Sequence, residues 1–224
     1  MSTYSKKPSL DDARARIGRA KEHIATLERE IVAAMPPDRT ITTVIAGGFL
    51  SGTRYINPPP ILPILIGETI YNLRAALDYL VYELFYLDTG ETTNITKFVI
   101  EDSEQSWDRR IPTPDTPKDK LRKMWIHRLT AAHQAARKRL QPCYGCKWTG
   151  VLRELSNPDK HRRLLTVIGS VNHDGFGAMS GPVMVTFNLT TKVAFDDSSL
   201  VVETLKLLQQ EVADVINAFN ADFQ

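Results

Sequence analysis

Apolar residues recur at helical spacing along four long segments of the chain, which predicts four amphipathic helices. The segments are residues 9–35, 61–88, 118–140 and 198–221, and a shorter helix is predicted at 147–157. In the second segment the apolar positions alternate between steps of four and three residues, and we call them the seam: Ile66, Ile70, Leu73, Leu77, Leu80 and Leu84. Such spacing is typical of a helix inside a bundle or against a second copy of the chain, so a homodimer is a candidate assembly.

Serine residues stand before the first and the last of these helices. Ser9 is followed by Asp11 and Asp12, which fall in the first turn, where the helix dipole favours carboxylates. Ser198 stands before the last apolar stripe. Both serines are predicted N-caps, because a hydroxyl oxygen there accepts a backbone N–H of the first turn.

Shorter stretches follow the pattern of β-strands, with β-branched residues and alternating polarity. They are residues 40–46 and 52–57, the run 164–168, which continues as helix or strand, and a hairpin over 182–196. Together with the helices, these stretches predict an α+β fold that is mainly α. We expect a bundle of four long amphipathic helices with a small antiparallel β-sheet on one side.

The length and composition favour one folded domain. The chain has 224 residues, of which 42% are hydrophobic and 24% charged, and its net charge is +2. This length suffices for a sizeable core, and no linker-like stretch divides it, so residues 1–224 are predicted to form a single domain. The β insertions fall at about 40–57 and 164–196. The small net charge gives no overall bias towards nucleic acid or a membrane.

Neither a signal peptide nor a membrane span is predicted. The first ten residues, MSTYSKKPSL, lack an apolar core. The most apolar run, ILPILIG, is much shorter than the about 18 residues that a spanning helix needs. With only two cysteines in the chain, this pattern predicts a cytoplasmic protein in a reducing compartment.

The two cysteines, Cys143 and Cys146, form a CxxC pair, which can be half of a zinc site or a redox dithiol. Zinc sites use about four ligands, and the sequence has no second CxxC pair and no histidines at a matching spacing. A thioredoxin-like dithiol needs a βαβ context that the pattern does not predict. We therefore interpret the pair as ordinary thiols in a turn, and we predict no metal and no cofactor.

The densest polar cluster follows the short helix, within LRELSNPDKHRRLL at residues 152–165. Residues 159–162, which we call the DKHR segment, offer a carboxylate, an ammonium, an imidazole and a guanidinium in consecutive positions. Imidazole titrates near neutral pH, so His161 is a candidate general acid or base. The same groups can instead form a structural ion network, since buried charges must be paired. We expect the segment to face the helix at 66–87.

Polar residues also lie beside the seam of the second helix. Arg74 and Asp78 are four residues apart, so they can pair on the helix surface. Asn72 adjoins the seam and needs a hydrogen-bond partner if it is buried. These residues either belong to a solvated face or line a polar site.

The third predicted helix carries a basic face opposite its apolar one. Lys120, Lys123, Arg128 and Arg137 are the residues on this face that we select as candidate nucleic-acid contacts. A solvated helix face is the default interpretation of these residues. If they contact phosphates, binding is expected to weaken as salt rises.

Two motifs carry a family resemblance that extends from the first helix to the last. GETIYNLRAALDYLVYEL, followed about 60 residues later by LRELSNPDKHRRLL, resembles a family of uncharacterised bacterial and phage proteins. Its members combine an NLRxALDxL helix with a DKHR segment. Many of them have a histidine after the aspartate of ALD, where this chain has Tyr79. The resemblance implies a bacterial, actinobacterial or bacteriophage origin but no established activity.

A more distant resemblance is to the HEPN helical domains, many of which are RNases of toxin and phage-defence systems. Their signature is R-N-x-x-x-H. Asn157 and His161 match its last two positions, whereas Ser156 stands where the arginine is expected. The motif is therefore incomplete, and Arg153, Arg162 or Arg74 would have to supply the guanidinium in space.

Two functional hypotheses follow. The favoured one is a non-catalytic bundle that acts through a surface for RNA, for a second copy or for an unidentified protein. The alternative is a HEPN-like, metal-independent RNase in which the RNA 2′-hydroxyl is the nucleophile and His161 is the general acid or base. In that RNase, positive side chains would stabilise the phosphate, carboxylates would orient the imidazole and amides would position the substrate. These residues are Lys160, Arg162 and Arg74; Asp78 and Asp159; and Asn157 and Asn72.

Overall fold

The computed structural model describes residues 7–34, 39–45, 59–110, 125–156, 166–171, 183–195 and 197–224. These residues are mainly helical, as the sequence predicts. The α-helices are α1 (Asp11–Ala34), α2 (Ile61–Thr89), α3 (Glu104–Asp108), α4 (Ala131–Arg139), α5 (Lys147–Leu155) and α6 (Val201–Ala218). The strands are β1 (Arg39–Ile45), β2 (Thr166–Val171) and β3 (Val183–Ala194), and short 3-10 helices occupy Trp125–Arg128, Pro142–Tyr144 and Asn220–Phe223.

The seam of α2 forms the centre of the core. All six seam residues are at most 2% exposed, and α2 packs against both α1 and α6. Burying a leucine or isoleucine side chain contributes about 1.5–3 kcal/mol, so the seam is a main source of stability. Because the seam packs within the chain, its spacing no longer favours a homodimer.

The ends of α1 and α2 are fixed by local hydrogen bonds. The hydroxyl oxygen of Ser9 accepts the N–H of Asp11 at 3.1 Å, but the carbonyl that accepts the N–H of Arg14 is that of Leu10. Ser9 therefore lies one residue before the N-cap position that was predicted for it. The N–H of Ser9 donates to the Glu83 carboxylate at 3.1 Å, which ties the start of α1 to α2. At the other end of α2, Gly90 adopts a left-handed backbone with φ 68° and donates its N–H to the Tyr86 carbonyl.

The third predicted helix, 118–140, is not continuous in its described part, so the prediction of four long helices is wrong there. The chain forms a 3-10 turn at Trp125–Arg128 and then starts α4 anew. Thr130 has an extended backbone, and its hydroxyl oxygen accepts the N–H of His133. Its own N–H donates to Asp88 on α2 at 2.7 Å. This capping arrangement breaks the apolar stripe into two pieces.

The strands form an antiparallel sheet in the order β1-β3-β2. β1 pairs with the first half of β3, from Val183 to Leu189, and β2 pairs with the second half, from Leu189 to Ala194. The predicted hairpin at 182–196 is therefore wrong, because β3 is one continuous strand. Its middle, NLTTK, contains no glycine or proline to form a tight turn. The predicted strand at 52–57 lies outside the described residues.

The last helix begins later than its sequence pattern predicts. Ser198 is not its N-cap but has a left-handed backbone with φ 68°, and Leu200 precedes the first turn instead. The carboxylate of Asp197 accepts the N–H and the hydroxyl of Ser199, at 2.9 and 2.6 Å, which stabilises the turn before the helix. Across the described ranges, no helix has both the length and the apolar character to cross a bilayer.

Candidate functional site

An open cleft of about 1130 Å³ lies on one side of α2. We call it the tyrosine cleft, and we call residues 91–101, which follow α2 and form one wall, the strap. The polar and aromatic lining of the tyrosine cleft consists of Arg16 from α1; Tyr71, Arg74, Asp78, Tyr79 and Tyr82 from α2; Thr92, Thr93, Asn94 and Thr96 from the strap; and Ser156 after α5.

A cation lies between two aromatic rings on the α1 side of this cleft. The Arg16 guanidinium is 5.9 Å from the ring centre of Tyr71 and 5.7 Å from that of Tyr79. It also donates to the Asn72 side-chain oxygen at 3.3 Å. In the described part of the chain, no carboxylate lies within ion-pair distance of Arg16. Among the described residues, its charge is therefore balanced by two ring faces and an amide.

Buried Asn72 has the hydrogen-bond partners that its side chain needs. Its side chain is 2% exposed, accepts from Arg16 and donates to the Glu68 carbonyl at 2.8 Å. Arg16 was not among the candidate site residues selected from the sequence. No pattern within α1 distinguishes it, because its ring partners belong to another helix.

Arg74 and Asp78 lie on one face of α2 and both hold the backbone of Phe98 in the strap. The carboxylate of Asp78 accepts the Phe98 N–H at 2.7 Å, and Nη2 of Arg74 donates to the Phe98 carbonyl at 3.0 Å. Nη1 of Arg74 is buried and has no hydrogen-bond partner among the described residues. The two side chains therefore anchor the strap rather than forming a solvated surface pair.

Burial shifts the pKa of both groups in the direction that favours their neutral forms. Burial lowers the pKa of Arg74, and the nearby charge of Asp78 opposes the shift. Burial also raises the pKa of Asp78, opposed first by the hydrogen bond from the Phe98 N–H and then by Arg74, Lys97 and Arg137. Two opposite charges are thus held in a partly water-excluded place, where an added anion would interact strongly with Arg74.

The prediction that Arg137 lies on an exposed basic face is wrong. Its side chain is 1% exposed, and its guanidinium lies 5.0, 5.9 and 4.8 Å from the ring centres of Phe98, Trp107 and Trp125. We call this arrangement the Arg137 cage. Nε and Nη1 have no hydrogen-bond partner among the described residues and lie close to the ring faces, which attract cations. Burial lowers the pKa of Arg137 to about 9, so it stays charged at neutral pH.

The second half of the strap is fixed from α4. Nη2 of Arg137 donates to the Val99 carbonyl at 3.4 Å, and Gln141 donates to the same carbonyl at 3.2 Å. The side-chain oxygen of Gln141 accepts the Glu101 N–H at 2.8 Å. Side chains of α2 and of the α4 region thus hold the backbone of this irregular segment.

The rest of the predicted basic face is only partly described. Arg128 pairs with Glu91 at the start of the strap at 2.8 Å, and its guanidinium is 5.0 Å from the Phe85 ring centre. The hydrogen bond and charge of Arg128 hold the pKa of Glu91 below its usual range. Lys120 and Lys123 lie outside the described residues. Arg137 is therefore not available to a phosphate-binding face on this helix.

The other predicted site residues, Asn157, Asp159, Lys160, His161 and Arg162, also lie outside the described residues. The residue before them, Ser156, lines the tyrosine cleft together with Arg74 and Asp78. The helix that ends there, α5, is tied to the chain after the strap by an ion pair between Arg153 and Asp102. The chain thus leaves α5 towards the DKHR segment from the wall of the cleft.

A second polar cluster, which the sequence analysis did not select, centres on His133 in α4. Its Nδ1 lies 2.9 and 2.8 Å from the two carboxylate oxygens of Asp88, and its Nε2 lies 3.6 Å from Asp222. His133 also packs against Phe219, at 6.0 Å between ring centres. The cluster joins the ends of α2 and α6 to the start of α4.

Cys143 and Cys146 are free thiols and partly buried. Burial raises the pKa of both, which favours the protonated thiol over the reactive thiolate. Within the described ranges, no group of three His, Cys, Asp or Glu side chains is arranged to hold a metal ion.

Comparison of the chain with protein-family models, with curated proteins and with solved structures found no match in any of the three.

Proposed function

We propose that this protein binds single-stranded RNA in the tyrosine cleft and does not cleave it. The observation that carries the proposal is the Arg16 guanidinium between the rings of Tyr71 and Tyr79, with no carboxylate within ion-pair distance among the described residues. Proteins that bind single strands combine aromatic rings, on which bases stack, with positive groups along the backbone path. The tyrosine cleft offers both kinds of group side by side.

The individual groups suit separate parts of a nucleotide. Tyr71 is 60% exposed, so one face of its ring is open to a stacking base. Arg16 is a donor for phosphate oxygens, and the guanidinium of Arg74, which lines the cleft, adds a second positive charge. The carboxylate of Asp78, the one acidic side chain in the described lining, already accepts the Phe98 N–H. Its repulsion of a phosphate is further offset by Arg74.

The size and shape of the cleft favour a flexible strand. Its volume of about 1130 Å³ exceeds the range of about 300–1,000 Å³ that is usual for small-ligand pockets, so it has room for more than one nucleotide. Double-stranded RNA keeps its bases stacked inside the helix, whereas stacking on tyrosine requires bases that are splayed out. We therefore assign the cleft to single-stranded rather than double-stranded RNA.

Replacing Arg16 by glutamine is expected to weaken RNA binding by about tenfold, because a phosphate contact and its counterion release are lost. The slope of log affinity against log salt should become smaller by about one. The measurement is anisotropy of a short labelled RNA, titrated with protein at several salt concentrations.

Arg19→Gln is the matched control, since it removes the same charge from the same helix. Arg19 is exposed, pairs with Glu22 at 2.8 Å and does not line the cleft. If both substitutions weaken RNA binding equally, the loss comes from the overall charge of the protein and not from a contact in the cleft. Absence of RNA binding by the unaltered protein would refute the proposal.

The second candidate function is a metal-independent RNase of the HEPN type, and the position of Ser156 in the cleft wall favours it. His161 is five residues further along, and five extended residues span at most about 18 Å, so the imidazole is within chain reach of the cleft. His161 would take the proton of the 2′-hydroxyl, whose oxygen attacks the phosphorus. A 2′,3′-cyclic phosphate forms as the bond to the 5′-oxygen breaks, and the 5′-oxygen takes up the proton that the imidazolium returns. Lys160, Arg162 and Arg74 would stabilise the charged phosphate, and Asp159 or Asp78 would orient the imidazole.

The RNase candidate predicts cleavage of a mixed RNA pool in the presence of EDTA by the unaltered protein and loss of that cleavage in His161→Ala. Products are separated on a gel, and the melting temperature of the variant is recorded beside it. No cleavage by either protein, together with a lower melting temperature of the variant, would refute this chemistry under those conditions. The DKHR segment would then be a structural ion network.

A further inference from the structure

We infer that the strap is the base-selecting wall of the tyrosine cleft, and that Arg74 and Asp78 are positioning residues that hold it in place. The inference rests on the proposed binding of single-stranded RNA. It assigns affinity and base preference to different sides of the cleft. Arg16 and the tyrosines hold the strand, and the strap distinguishes one base from another.

The strap has no regular secondary structure and does not belong to the sheet of β1, β2 and β3. Three backbone groups of two successive residues, Phe98 and Val99, are instead held by side chains. Asp78 and Arg74 take the N–H and the carbonyl of Phe98. The next carbonyl, that of Val99, accepts from Arg137 and Gln141. Every one of these holding groups belongs to α2 or to the α4 region, so the strap is fixed relative to the tyrosines of α2.

The residues just before this anchor face the cleft with hydrogen-bonding side chains. Thr92 and Asn94 are exposed and line the cavity, and Thr93 lines it as well. The hydroxyl of Thr93 accepts the N–H of Ile95 at 3.3 Å, which shapes the turn that presents Asn94. An amide side chain can donate and accept at once, which is the pattern needed to read a base edge. Bases splayed from a single strand expose such edges.

The position of Asn94 relative to the rings depends on the hydrogen bonds at Phe98. An asparagine at position 78 can still accept the Phe98 N–H, whereas an alanine cannot. Asp78→Ala therefore should release the strap without touching Arg16 or Tyr71. Asp78→Asn is the conservative variant that should retain the strap position, and Asn94→Ala removes the reading group itself from an exposed position where folding is not at stake.

The test measures the affinity of short labelled oligo(A), oligo(C) and oligo(U) for the full chain at several salt concentrations. The unaltered protein is expected to prefer its best oligonucleotide over its worst by about tenfold, as one amide contact to a base edge allows. Asn94→Ala and Asp78→Ala should bring this ratio close to one while the salt slope stays unchanged. Asp78→Asn should keep the ratio.

Each outcome distinguishes the inference from the proposal beneath it. If the unaltered protein binds none of the three oligonucleotides, both the RNA-binding proposal and the inference fail. If it binds all three equally, or if Asn94→Ala keeps the preference, RNA binding stands and the strap is not the selecting wall. If Asp78→Asn loses the preference as fully as Asp78→Ala, the charge of Asp78 rather than its hold on Phe98 is responsible, and the positioning role is overturned.

Discussion

Replacing Arg137 by alanine is expected to lower the free energy of unfolding by about 3–5 kcal/mol, the largest loss that we expect from any single polar residue described. The substitution empties the Arg137 cage between Phe98, Trp107 and Trp125, and it removes a donor to Val99 in the strap. It also takes away a positive charge that stabilises the ionised form of Asp78. For a chain of this size the melting temperature should fall by roughly 6–20 °C.

Two further variants separate the causes of this loss. Arg139→Ala removes an exposed arginine from the end of the same helix and should change stability by less than about 0.5 kcal/mol. Arg137→Met fills much of the cage without a charge, and its loss should be smaller than that of the alanine variant. Urea unfolding of the four proteins gives the comparison. An Arg137→Ala variant as stable as Arg139→Ala would contradict a buried, cage-bound guanidinium.

Replacing Asp88 by alanine is expected to cost about 2–3 kcal/mol of unfolding free energy. Its side chain is 4% exposed and accepts from the Thr130 N–H and from Nδ1 of His133. The variant leaves both donors without this acceptor and removes the contact that fixes the first turn of α4 against α2. Since α4 carries Arg137, we expect the strap to loosen in the same transition.

Asp222→Ala is the control for Asp88. Asp222 lies on the other side of the same imidazole, 3.6 Å from Nε2, but its side chain is 42% exposed. Exposed pairs of this kind contribute about 0–1 kcal/mol, so this variant should unfold close to the unaltered protein. The comparison is made by urea unfolding at neutral pH. If both variants lose the same unfolding free energy, the contacts to the imidazole stabilise the fold and the hydrogen bond from the Thr130 N–H to Asp88 adds little.

The helical part of the fold could be predicted because burial on α2 follows from spacing along one element. The seam has a period that only a helix can present to one side, and all six of its residues are buried. The same reasoning gave a wrong result in the third predicted helix, where one residue ends the helical pattern. Thr130 interrupts the apolar stripe by capping α4, and its partner Asp88 lies 42 residues earlier in the chain.

Arg137 shows why the sequence could not give the chemistry of the site. On a helical wheel it belongs with the basic residues of 118–140. Two of its ring partners, Phe98 and Trp107, lie outside that segment, and the third, Trp125, lies in the turn before α4. Spacing within one helix carries no information about such distant partners. Arg74 and Asp78 were selected for a spacing that suits pairing with each other, yet both hold Phe98, a residue some twenty positions later.

The Arg137 cage also decides what tryptophan emission reports in this protein. The chain has three tryptophans, and two of them, Trp107 and Trp125, lie against the same buried cation. Indole emission is sensitive to nearby charge and to water, so the emission of these two tryptophans reports on one small region between the strap, α3 and α4. A transition followed by this signal records the separation of these three segments. It becomes a measure of the whole fold only where helix content, followed separately, changes at the same denaturant concentration.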